Sequence, residues 1–405
     1  MRGVLFVLLL LLAGCSAERE GTRLDPSDLE RLSWEEVAAQ ARNSTVRFGM
    51  WGGDEERNRY FRSSVRESLL DCCGIDLRII TAGDTAELIN MLLNEKRAGK
   101  LRNGLLDMIW INGENFRTAK QGGVLWGPFA QRLPNFGLYS PEASARDFGT
   151  PTEGFEAPWQ RAQFVMAYDS ARVPEPPRTI EALAEWVRRH PGRFTYLAPP
   201  DFTGSAFIRH LLLHFGNYDR RFQEAFDEEL YKAASERTIA FLNDLRPFLW
   251  RKGETYPSTP REQDRLFANH EIDFAMSYGP SFVSVRIARG EFPVTARTFV
   301  FDTGTIANYN YLAIPFNAPN AAGALVAITH LMSFEQALDL SIALRSAFPL
   351  DLTRLTEEQR AKAEALPVGL GMLPARVLAA RALTEPDAEY LVRIERDWLE
   401  RVLRR

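Results

Sequence analysis

The sequence predicts an α/β protein built from two α/β units. Short apolar runs of strand length alternate with runs at helical spacing from Thr45 onward, and a β-α-β-α-β order implies a parallel sheet with helices on both faces. The alternation restarts beyond Thr179. At 405 residues, 45% hydrophobic and 25% charged, the chain is long enough to bury two cores.

The first unit opens with a strand, Thr45 to Met50, that ends in Trp51-Gly52-Gly53. Arg57 to Leu70 carries Tyr60, Val65 and Leu69 at helical spacing. Ile75 to Ile80 alternates as a second strand. Asp84 or Thr85 caps the following helix, which carries Leu88, Met91, Leu92 and Leu93. Asp107 to Ile111 is a central strand that stops at Asn112-Gly113-Glu114-Asn115. In an open α/β sheet, small ligands bind beyond the carboxyl ends of the strands. Trp51 and Asn112 to Asn115 share that edge. Pro134 to Pro158, rich in proline, glycine and aromatics, reads as irregular surface.

Trp159 to Tyr168 reads as a strand leaving the first unit, and Thr179 caps a helix to Arg189. Phe194 to Leu197 opens the second unit as a strand. Asp201-Phe202-Thr203-Gly204-Ser205 leads into a helix, whose start offers amides and hydroxyls suited to an anion or carbonyl oxygen, or a simple cap. Ile272 to Pro280 is a strand ending in a polar turn with Tyr278. Thr305 to Pro315 is another, with Asn308 and Tyr309 in its lead-in. Ala388 to Leu403 closes the chain as an amphipathic helix with Leu391, Ile394, Trp398 and Val402 on one face.

The N-terminus predicts an address. Arg2 precedes an apolar run, Val4 to Leu12, too short to span a bilayer as a mature helix. Leu12-Ala13-Gly14-Cys15 resembles the lipobox of bacterial lipoproteins, which implies a signal peptide over 1–14 and lipidation of Cys15. The polar stretch that follows reads as a tether over 15–43. Adjacent Cys72 and Cys73 are expected to be two packed thiols rather than a redox pair. The compartment permits a disulfide, but a ring between neighbours is strained. Two cysteines and five scattered histidines show no metal-ligand spacing, so no metal or cofactor is expected. The net charge of −4 and the lack of a basic face argue against a nucleic-acid partner.

Four stretches together carry a resemblance: the first strand into Trp51-Gly52-Gly53, the Asp107 to Trp110 strand, the Thr203-Gly204-Ser205 helix start, and Asp273 to Pro280. Over essentially the whole mature chain the layout resembles the extracellular solute-binding proteins of ABC importers. Trp110 to Phe116, Leu125-Trp126-Gly127-Pro128-Phe129 and Phe202 to Phe207 resemble signature runs of the YnjB-like branch. The chain is more distantly similar to periplasmic thiamine-binding proteins. The resemblance implies a periplasmic-binding-protein-like fold of two discontinuous α/β lobes with a ligand cleft between them. Lobe one is expected over 44–158 plus 302–345, and lobe two over 159–301 plus 346–405. It further implies a lipid-anchored, extracytoplasmic monomer that delivers a small solute to a permease and its ATPase.

Within that frame the expected ligand contacts are Trp51, Asn112, Glu114, Asn115, Trp159, Thr203, Ser205, Tyr278, Asn308 and Tyr309. Aromatic faces beside a carboxylate suit an organic cation, thiamine-like or otherwise. A phosphate- or carboxylate-bearing solute held at Thr203 is the alternative. Thiaminase-type transferases resemble the same fold but require an activated cysteine nucleophile, and the cleft stretch Trp110 to Asn115 contains none. A lipoprotein that only scaffolds other proteins is the remaining class.

Overall fold

The computed structural model describes residues 24–404. The signal peptide, Cys15 and the first part of the tether lie outside the described residues. The strands are β1 (Ser44–Trp51), β2 (Ile75–Ala82), β3 (Met108–Ile111), β4 (Leu125–Trp126), β5 (Arg146–Asp147), β6 (Thr150–Pro151), β7 (Glu156–Gln163), β8 (Val165–Asp169), β9 (Phe274–Ser277), β10 (Ala296–Phe299), β11 (Thr305–Pro315) and β12 (Ala382–Thr384).

Lobe one is built on a sheet ordered β12-β11-β3-β1-β2, with β4 and β7 also pairing β11. β1 runs parallel to β2 and to β3, as the β-α-β-α-β pattern requires, and β11 runs antiparallel to β3. Asp107 fixes the register at the start of β3. Its buried carboxylate accepts from the Arg47 amide at 2.7 Å and the Asn320 amide at 2.9 Å. Lobe two has the antiparallel sheet β10-β8-β9, covered by the helices Ile180–Arg189 and Phe202–Phe215 and the terminal helix Ala388–Trp398.

Two strands link the lobes. β7 pairs β11 in the first sheet, and the chain continues through Phe164 into β8 of the second. β11 returns after β10. The crossings fall later than the sequence predicts. Trp159 packs in the core of lobe one, against Phe48, Phe61 and Trp110, so the boundary lies at Phe164. Leu350, Leu355 and Ala363 also belong to that core. The third crossing therefore comes after Ala363 rather than near 345, and by Gly371 the chain meets β10, where Thr298 donates to its carbonyl at 2.7 Å.

Other expectations are corrected. The tether is shorter than 15–43: Leu24, Leu29, Val37 and Ala41 are buried against lobe one, because Ser33 caps an amphipathic helix, Trp34–Ala41, that docks there. Phe194 to Leu197 forms no strand; the Phe194 carbonyl is taken by the Trp250 amide at 2.8 Å. The stretch 134–158 is not all surface, since Tyr139, Asp147, Phe148 and Glu156 are buried. Cys72 and Cys73 are joined as a disulfide.

Candidate functional site

The lobes meet where the carboxyl edge of the first sheet faces the Phe202–Phe215 and Ala388–Trp398 helices. Gly113 turns the chain from β3 into the helix Gly113–Gln121 with a positive φ of 59°, a conformation that strains any side chain other than glycine's. The Gly113 amide donates to the buried Asp147 carboxylate at 2.5 Å. Glu114 follows in the first turn. Asn112 donates to Asn310 on β11 at 2.9 Å, tying the loop to the strand that crosses between lobes. Asn308, two residues earlier, has both amide atoms buried with no protein partner among the described residues.

Lobe two supplies the opposite wall. Arg209 is fully buried and grips Glu385 through two hydrogen bonds of 2.9 Å. Its guanidinium lies 5.4 Å from the ring centroids of Phe148, from lobe one, and Phe202, from lobe two. Tyr278 donates its hydroxyl to the same Glu385 at 2.5 Å. Ser205 donates its hydroxyl to Glu395 on the terminal helix.

The electrostatics of this junction are lopsided. Burial raises the Glu114 carboxyl above its usual range; Arg209 opposes the shift, and the charges of Glu395 and Asp84 reinforce it. Burial likewise raises Glu395, against the hydrogen bond from Ser205 and the charge of Arg209. Asp147 is pushed well up by burial, and the charges of Glu114 and Glu385 add to this. Several carboxyls thus surround one arginine that Glu385 already neutralises. Carboxyls in this position hold protons or take a cation.

The expected contacts divide. Glu114, Ser205 and Tyr278 come together through Arg209, Glu385 and Glu395. Asn112, Asn115 and Asn308 lie on the loop, helix and crossing strand of the first sheet. Trp51 ends β1, paired with Ala82, and is 41% exposed at the rim, on the edge that also carries Asp84. Trp159 is a correction: it is 2% exposed and forms core beneath Trp110. Trp110 packs against Trp159, and the Arg57 guanidinium lies 5.3 Å from the Trp110 ring and donates to Gln160 at 2.8 Å. Tyr309 packs edge-on against Tyr139 and does not join the acidic group. At Thr203 the anion reading is corrected too. Asp201 already accepts from the Thr203 and Gly204 amides at 2.9 and 3.0 Å, so a carboxylate of the chain itself fills the helix start.

Arg209, Glu385 and Glu395 were absent from the sequence reading. Arg209 had a signal: a charge inside the wholly buried run Thr203 to Leu213 demands a partner. Glu395 had a weaker one, four residues after Leu391 and beside Ile394 on the apolar stripe.

The lobes also touch outside the acidic group. Arg117 pairs with Glu389 at 3.2 Å, Arg289 pairs with Glu56, and the Ala388 amide donates to the Phe148 carbonyl at 3.0 Å. Two lobes on separate sheets, joined by crossing strands and enclosing a polar junction, define a solute-binding protein of the periplasmic type.

Comparison with known proteins gives the same class and narrows it. Residues 70–367 match the bacterial extracellular solute-binding protein family, and the chain belongs to that family. It is 32% identical to the protein YnjB of Escherichia coli (strain K12) over 372 residues, which is 91% of this chain and 93% of that protein. Among solved structures, an ABC transporter from Clostridium perfringens matches with a TM-score of 0.64 at 16% identity, covering 89% of this chain and 99% of that one. The spermidine/putrescine substrate-binding protein PotD of Streptococcus pneumoniae matches with a TM-score of 0.63 at 15% identity, covering 88% and 98%. The apo ferric-ion-binding protein A of Pasteurella haemolytica matches with a TM-score of 0.59 at 14% identity, covering 88% and 96%. The chain is thus an extracellular solute-binding component of the ABC-transporter type, a class that works with a permease and an ATPase.

Proposed function

We propose that the solute is an organic cation held between the lobes, with Glu114 on one side and Glu395 on the other. The observation that carries this reading is the pair itself: two partly buried carboxyls from different lobes, each raised by burial, with the buried Arg209 committed to Glu385. A cation entering the junction replaces protons as their counter-charge. It gains contacts with both lobes only when they meet, and this differential affinity favours closure. Trp51 at the rim offers an aromatic face, worth about 0.5–2 kcal/mol to a cation. Asn112, Asn115, Asn308, Thr203, Ser205 and Tyr278 supply polar contacts around the charge. The polyamine named for the PotD relative fits this chemistry, as does a thiamine-like ring.

A transferase on the same fold needs a nucleophile at the cleft. Cys72 and Cys73 sit just before Gly74 and the start of β2, at the opposite end of the sheet from Trp51 and Glu114. The protein is read as anchored through Cys15 to a bacterial membrane and acting as a monomer.

A thermal-shift screen of the purified protein tests the reading. The panel contains putrescine, spermidine, choline, thiamine, thiamine phosphates, phosphonates, ferric ion, amino acids and sugars. A solute at 100 times its dissociation constant adds about 2.7 kcal/mol to stability, a shift of several degrees. Stabilisation by an organic cation, lost in Glu114→Gln, supports the proposal. Stabilisation only by anions or neutral solutes overturns it.

A further inference from the structure

At the far end of lobe one the fold brings together three ligating side chains that lie far apart in sequence. Cys72 and Cys73 end the helix Arg66–Cys73, and His330 lies in the last turn of Ala321–Leu331. One ligand atom from each falls within 4.8 Å of the others. The His330 Nδ1 is 3.7 Å from the Cys72 sulfur, and its Nε2 is 3.0 Å from the Ser68 hydroxyl. In the tautomer whose Nε2 donates to Ser68, the Nδ1 lone pair faces the Cys72 sulfur. A second hydrogen bond that orients the ring is how metal-ligating histidines are held. The group opens on a surface cavity of ≈ 310 Å³ whose lining includes Trp34, Arg42, Asn135 and Thr329.

We propose that the Cys72–Cys73 pair, when reduced, forms with His330 a site for a soft or borderline divalent cation of the zinc class, separate from the solute cleft. Two thiolates and one imidazole are the donors such ions select. Thiolates at about 2.3 Å from one tetrahedral ion stand roughly 3.8 Å apart, a separation that neighbouring side chains reach by small rotations once the S–S bond is open. The fourth position faces the cavity. The disulfide is the closed state of the site. A dithiol reductant delivers two electrons and two protons to the sulfurs and becomes a disulfide itself. Cation binding then displaces the two thiol protons to solvent. Oxidation by a small disulfide, which takes up the two electrons and leaves as two thiols, rejoins the sulfurs, withdraws both thiolates and releases the ion.

Cobalt(II) titration of the purified protein tests this. The expected result is a sulfur-to-cobalt charge-transfer band in the near ultraviolet that saturates at one equivalent in reduced protein, does not form in oxidised protein, and is reversed by zinc. The band disappears in the Cys72→Ser, Cys73→Ser double variant. His330→Ala shifts the visible bands and weakens binding by more than about tenfold, and Ser68→Ala weakens it less. Ser68→Ala retains all three ligands, so it also serves where the other variants fold poorly. No charge-transfer band in reduced wild-type protein overturns the proposal. So does a His330→Ala variant that folds and binds cobalt with unchanged affinity and spectrum.

Discussion

Glu114 of lobe one and Glu395 of lobe two are like charges close enough that the second raises the carboxyl of the first. Each lies on a helix that packs against the other: Arg117, three residues after Glu114, pairs with Glu389 on the terminal helix at 3.2 Å. The contact between the lobes thus holds two partly buried carboxyls near one another.

Removing either charge is expected to separate stability from binding. Both carboxyls titrate above their unfolded values, so the folded protein without solute holds more protons than the unfolded chain between those values. Its stability from this source is full below the window and falls as pH rises through it. Glu114→Gln and Glu395→Gln are therefore expected to raise unfolding free energy near neutral pH by about 0.5–2 kcal/mol while weakening cation binding by about 10–100-fold. Urea unfolding and calorimetry, done side by side, check both halves.

The Arg209–Glu385 pair is expected to behave oppositely. Both side chains are buried, so neither Arg209→Met nor Glu385→Gln relieves the surviving partner. Arg209→Met leaves Glu385 buried with only the Tyr278 hydroxyl and is expected to cost about 3–5 kcal/mol. Adding Glu385→Gln to Arg209→Met recovers part of that loss. A double-mutant cycle measured by urea unfolding reads the recovery.

His210 shapes the acid limb of stability. Its ring stacks on Phe301 at 5.1 Å, neither nitrogen has a protein partner among the described residues, and burial lowers its pKa to about 3. The folded pKa lies below the unfolded value near 6.5, so this contribution is present above about 6.5 and is lost as pH falls toward about 3. At pH 5 the loss is about 2 kcal/mol. His210→Phe is expected to leave stability little changed at pH 8 and to raise the melting temperature at pH 5.

Local patterns carried well from sequence to fold. The strands β1, β2, β3, β9 and β11 and their connecting helices follow from periodicity and caps. So does the loop after β3, which positions Glu114. What did not carry is what depends on distant chain. Glu385 and Glu395 reach the site from the far end of the sequence, and their helix reads as an ordinary amphipathic closure. Trp159 reads as a cleft aromatic because its strand crosses between lobes, yet its ring turns inward onto Phe48 and Phe61. The cap at the Phe202–Phe215 helix is Asp201, and its occupation of the Thr203 and Gly204 amides removes the anion site that those amides suggest when read alone. His330 lies 258 positions from Cys72, a separation no ligand-spacing rule reaches.

The most direct measurement is calorimetric titration of the purified protein with the best organic cation from the screen, at about pH 7.5 and pH 5.5 and in buffers of differing ionisation enthalpy. Binding between Glu114 and Glu395 is expected to release protons and to weaken on acidification, with both effects reduced in Glu114→Gln. Binding that takes up protons, tightens at low pH, or is unchanged in both Glu114→Gln and Glu395→Gln would contradict a cation held between these carboxyls.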